Sequence, residues 1–130
     1  MMRTRSLLSL LALVATTSCL DGSAPGPDCS GNLEVSVGTG LAPEISWRPF
    51  CLALGLVVES TDGSGPIWIV NTGDWIAPPV TYGTMPRGSV GTEAHPLVVG
   101  VRYRVLVEAL VDVPGVGTRA GIVGSTEFTP

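Results

Sequence analysis

"HPLVVGVRYRVLVEAL", His95 to Leu110, carries the cleanest two-residue alternation in the chain. Val101, Tyr103, Val105, Val107 and Ala109 fall on one side, and Arg102, Arg104 and Glu108 on the other. A period of two is that of a strand with one face on a core and the other in water. Tyr103 belongs to the inward set, yet a phenol is costly to bury without a hydrogen-bond partner. Its hydroxyl is therefore expected to reach main chain near His95 to Gly100, as in the tyrosine corner of sandwich domains, with Gly100 allowing the bend.

Outward from this strand the rest of the chain reads alike. Seventeen glycines and eleven prolines punctuate short alternating apolar runs. No helical periodicity follows Ala15, and no segment repeats. Several short strands separated by turns predict a single antiparallel β-sandwich of about seven strands. "LALGLVVES" (Leu52 to Ser60), the turn "TDGSG" and "PIWIVN" (Pro66 to Asn71) form one expected hairpin. "DWIAPPVTYGTMPRGS" is broken by prolines and suits an edge strand with loops. After a turn at "VPGVGTRAG", Ile122 to Thr129 closes the sheet.

The first hairpin can be given a register. In "NLEVSVGTGLAPEISW", Leu33, Val35 and Val37 share a face, as do Ile45 and Trp47. A turn centred on Gly40 sets Leu33 opposite Trp47 and Val35 opposite Ile45. The same pairing brings Cys29 opposite Cys51, near enough for a disulfide.

The residues also carry a family resemblance. Leu97 with Tyr103-x-Val105-x-Val107-x-Ala109 resembles the penultimate strand of a fibronectin type III domain. Ile45-Ser46-Trp47 is similar to that family's second strand, with its buried tryptophan, and Ser125 to Thr129 resembles its last. The resemblance runs from Leu33 to Thr129. It implies a seven-stranded sandwich that spaces or binds other molecules, with no catalytic residues to carry over. The family usually lacks disulfides, and Ile76 to Arg87 fits none of its standard strands.

The N-terminus tells where the chain goes. Arg3 and Arg5 precede the nine-residue apolar run Leu7 to Ala15. A helix of that length rises only about 14 Å, too short for a bilayer core of about 30 Å, so the run reads as a secretory signal. Ala15-Thr16-Thr17-Ser18-Cys19 resembles a bacterial lipoprotein signal, although Thr16 stands where that family usually has Leu. The resemblance implies lipid on Cys19 as the mature N-terminus. Lipidation would also account for the odd cysteine among three, leaving Cys29 and Cys51 to pair in an oxidising compartment. The organisation expected is a signal at 1–18, a lipidated tether at 19–31 and a sandwich at 32–130. Leu20, rather than aspartate, follows Cys19; by the same resemblance this permits sorting to an outer membrane where the cell has two.

From Cys19 onward eleven acids face five arginines, a net charge of −6 with no lysine. Such a surface repels phosphates, which excludes nucleic acid and leaves membrane contact to the lipid anchor. Chemistry is sparse. His95 is the lone histidine, and no Gly-x-Ser-x-Gly elbow presents a nucleophile. One histidine beside paired cysteines supplies no metal site. "GVGTRA" (Gly115 to Ala120) fits a dinucleotide fingerprint but has no helix after it to hold a pyrophosphate, and reads as a turn. "DGSG" offers one carboxylate where a calcium loop needs several, and is a turn too. Neither an enzyme nor a cofactor is expected.

Trp68, Trp75 and Tyr82 remain, within fifteen residues among proline-rich loops. Exposed on a sandwich face, they would be candidate binding residues for a sugar or a protein; buried, they would fill the core. The expectation is an extracytoplasmic, lipid-anchored module binding an envelope protein, with a carbohydrate-binding module using these aromatics as the alternative.

Overall fold

A computed structural model describes residues 26–130. The expected signal at 1–18 and the expected lipidation site Cys19 lie outside the described residues. Eight strands are present and, among the described residues, no helix: β1 (Glu34–Val37), β2 (Glu44–Arg48), β3 (Ala53–Ser60), β4 (Gly65–Ile76), β5 (Val80–Thr81), β6 (Ser89–Gly91), β7 (Tyr103–Val113) and β8 (Gly117–Phe128). They form two antiparallel sheets, one ordered β1-β2-β5 and the other β6-β4-β3-β7-β8. The all-β, two-sheet sandwich expected from the alternation is thus observed. Without the three-residue edge strand β6, seven strands remain.

The core lies between the sheets. Ile45 and Trp47 of β2 meet Leu56 and Val58 of β3, Trp68 and Val70 of β4, and Val105 and Val107 of β7, all buried. Trp47 satisfies its indole inside by donating from Nε1 to the Cys51 carbonyl at 3.0 Å. On the outer face of the larger sheet, Glu59, Arg104 and Glu127 stand in one cross-strand row. Arg104 bonds Glu59 at 3.2 Å and Glu127 at 3.0 Å. The hydrogen bond it donates to Glu127 is the main reason its guanidinium is held even more firmly cationic than usual.

At one seam of the sandwich β8 crosses close to β1. Leu33 donates its N–H to the Val123 carbonyl at 2.7 Å. Gly124 makes the approach possible, because a Cβ there would lie 2.8 Å from Val35 Cγ2 and 2.9 Å from Leu33 Cβ. A register shift between Val107 and Glu108 turns Val123 inward at the same place.

The first hairpin differs from expectation by one step. Val35 pairs with Trp47 and Val37 with Ile45, so the turn centres on Leu41 rather than Gly40. Slipping by two residues leaves every side chain on its expected face, and Leu33, Val35, Ile45 and Trp47 are all buried. The disulfide is nevertheless Cys29–Cys51, with Cα atoms 4.7 Å apart. It forms outside the antiparallel ladder, beside a parallel bridge between Asp28 and Leu52. Cys29 donates to the Leu52 carbonyl at 3.1 Å and Leu52 to that of Pro27 at 2.8 Å. Residues 27–29, assigned above to the tether, are therefore fastened to the domain.

Three strand limits also change. Val101 is exposed, because β7 begins only at Tyr103 and the turn before it carries Val101 away from the core. β4 continues past Asn71 to Ile76, which pairs with Ala53. The hairpin β7–β8 turns tightly at 114–116, so "GTRAG" belongs to a strand rather than to a loop. Gly115 and Gly117 supply the positive φ angles of that turn, 76° and 97°. The fingerprint "GVGTRA" is accordingly turn and strand, with no helix behind it.

Candidate functional site: a loop clasped by two tyrosines

Tyr103 opens β7 with its ring buried against Phe128, the centroids 5.7 Å apart. Its hydroxyl accepts the N–H of Val98 at 2.9 Å, as the alternation predicts. Tyr82, just past β5, is buried from the other sheet and packs edge-on against Trp68 at 5.0 Å and 68°. Its hydroxyl donates to the His95 carbonyl. Two phenols from separate sheets thus grip one stretch of main chain, three residues apart, one by donating and one by accepting. Leu97, between them, is buried in the core. Burial, and secondarily the neighbouring Tyr103, pushes the Tyr82 phenol up to about 12, so that hydroxyl keeps its proton to donate at physiological pH.

The connection from β6 to β7 is pinned at several points along its length. Thr92 donates its N–H to the Ile69 carbonyl at 3.0 Å, and its hydroxyl accepts the N–H of Ile69 at 2.9 Å. His95 donates to the Ile67 carbonyl at 3.1 Å, and Gly100 to that of Pro130 at 3.1 Å. Arg102 accepts from both the N–H and the hydroxyl of Thr61, which joins the loop to the β3–β4 turn. In that turn Asp62 accepts the N–H of Ser64 at 2.8 Å, and hydrogen bonds from Ser64 lower its carboxyl below the ordinary value. A long loop whose main chain is bonded at so many points is a fixed surface rather than a mobile one.

From Val98 to Val101 the loop presents apolar side chains. Val98 is 56 % and Val99 72 % exposed, and Val101 also faces solvent. Holding such side chains in water on a rigid support lowers the ordering entropy that a partner must offset.

The residues singled out in the sequence divide as follows. Trp68 and Tyr82 are core residues, and neither ring offers a stacking face; the short β5 and the Trp68 contact draw Tyr82 inward. Trp75 is half-buried, so the three aromatics form no joint platform. His95 is exposed, and its main chain is engaged on both sides. Cys29 and Cys51 meet as a buried disulfide. Among the described residues no cavity opens, and no group of three or more His, Cys, Asp or Glu is placed to hold a metal ion. The valine loop was not singled out in the sequence, although "VVG" before a strand that begins with a buried tyrosine is its signature. No family model, curated protein or solved structure matches this chain.

Proposed function

We propose that the protein is a non-enzymatic binding module of the cell envelope, held by lipid on Cys19 and meeting a protein partner through the clasped loop at Val98 and Val99. The observation that carries this reading is the fixing of an exposed apolar pair by two buried tyrosine hydroxyls. Its orientation supports it. The loop lies beside the β3–β4 turn, whereas residues 27–29 are fastened next to Leu52 at the far end of β3. β3 alone carries seven residue steps from Ala53 to Ser60, about 24 Å at strand rise, so the loop stands off from the tethered end. The fibronectin type III-like reading is supported by the two antiparallel sheets and by the buried Trp47 and Tyr103 at the positions that suggested it. No arrangement of aromatics favours the carbohydrate reading.

Affinity capture from the cell envelope, with the wild-type chain beside Val98→Asp/Val99→Asp, tests the assignment. One protein should be recovered with the wild type and lost with the double variant, while thermal stability is retained. Equal recovery by both would move the partner surface elsewhere. Lipid on Cys19 is checked separately, by mass spectrometry of the mature N-terminal peptide.

A further inference from the structure

The β7–β8 hairpin outruns the sheet that supports it. Gly55 of β3 pairs with Glu108, and β3 begins only two residues earlier, at Ala53. β7 and β8 continue pairing alone as far as Val113 and Gly117. Five residues past Glu108 correspond to about 17 Å; Val111 still packs against the core, so roughly 7 Å of hairpin, from Asp112 to the tip, projects beyond it.

The tethered end of the chain emerges at this same end. Asp28 bridges Leu52, the residue before β3, and Gly26 lies against Phe50, whose Cε1 would be 3.1 Å from a Cβ at that glycine. Phe50 is 54 % exposed there. At the hairpin tip the run Val113-Pro114-Gly115-Val116-Gly117 carries no charge, and Val116 is 68 % exposed. Behind it Leu110 and Ile122 also face solvent. The nearest acid, Asp112, accepts the Thr118 hydroxyl at 2.6 Å. Cys19 is seven residues from Gly26, a covalent reach of at most about 25 Å.

We infer that this end of the sandwich rests on the bilayer, with Val116 and Phe50 entering the boundary between headgroups and acyl chains. The inference rests on the lipidated Cys19 proposed above. A lipid within that reach makes contact by the tip effectively intramolecular, so a few apolar side chains suffice. A net charge of −6 gives the domain no basic patch for anionic headgroups, which is why an uncharged tip is the part suited to touch them. The clasped loop is then held away from the membrane.

The test uses the full chain, purified from a bacterial envelope and reconstituted in protein-free vesicles of phosphatidylethanolamine and phosphatidylglycerol. An environment-sensitive dye is placed at Val116→Cys, or at Ser64→Cys in the β3–β4 turn of the opposite end. Lipid-borne nitroxides should quench the Val116 label several-fold more than the Ser64 label, with a blue shift only for Val116. A label at Phe50→Cys gives the same reading independently of the hairpin. Lipid on Cys19 with equal quenching at all three sites overturns the docking and leaves the anchor intact. A mature chain without lipid overturns both.

Discussion

Replacing Tyr103 by phenylalanine removes one oxygen and leaves the rest of the clasp in place. The ring stays buried and keeps its contact with Phe128, so no apolar area is lost. What disappears is the acceptor for the Val98 N–H at 2.9 Å. A protein hydrogen bond contributes about 0.5–1.5 kcal/mol net, and a stranded buried donor adds about 1–3 kcal/mol. Val98 is more than half exposed, so water can reach its amide and only the smaller part of that penalty applies. The expected loss is about 1–1.5 kcal/mol, or a fall in Tm of roughly 4–10 °C for a domain of this size. Urea and thermal unfolding at pH 7 measure the total. Amide hydrogen exchange locates it: Val98 should exchange about tenfold faster for a local loss of 1.4 kcal/mol, while Val105 and Val107 follow only the global change. An unchanged Val98 rate with a Tm shift below about 1 °C would show that the hydroxyl does not hold the loop. A uniform acceleration along β7 would place the effect in the core instead.

Tyr82 gives a pH counterpart. Its phenol titrates near 10 when unfolded and is raised to about 12 in the fold, so its contribution is fully present below pH 10 and is lost as pH rises towards 12. Alkaline unfolding monitored by circular dichroism should be less steep in Tyr82→Phe across that window. Cys29→Ser with Cys51→Ser opens a link spanning 22 residues and should lower stability by about 3 kcal/mol in denaturant titration. In Gly91→Ala the new methyl group would run into the Ile69 carbonyl, so β6 should detach, seen as fast exchange at Thr92 while β7 stays protected. Cys19→Ala should shift the chain from the membrane fraction to the soluble one, read by fractionation and immunoblot.

The parts of the fold legible in the sequence were those where one period decides. The β7 alternation placed Tyr103, Val105, Val107 and Ala109 inward, and the need to satisfy a buried phenol located its main-chain partner within six residues. Register was less legible. A two-residue slip preserves every face, so Leu33, Val35, Ile45 and Trp47 fit a turn centred on Gly40 or on Leu41 equally well. Only the turn distinguishes them, and Gly38 donating to the Glu44 carbonyl at 2.8 Å shows the longer one. The cysteines fit the turn centred on Gly40, yet they meet where the antiparallel ladder has ended. Aromatic side chains leave two readings open in the sequence for a further reason. Trp68 lies on an alternating strand and Tyr82 in a proline-rich segment, but burial depends on what stands opposite, here each other. The valine loop was invisible to periodicity because long-range bonds from Ile67, Ile69, Tyr82 and Pro130 define it.

The clasp grips main chain only. The Tyr82 hydroxyl holds the carbonyl of His95, and the Tyr103 hydroxyl the N–H of Val98. Apart from Leu97, the side chains between these holds and Gly100 are released from any part in keeping the loop's shape. Positions 95, 98 and 99 can therefore be rewritten with little penalty to folding, in the way that hypervariable positions of a binding scaffold are diversified on a constant frame. A randomised library at the same positions would retain the fold through the two tyrosines, the buried Leu97 and the loop's main-chain bonds to Ile67, Ile69 and Pro130.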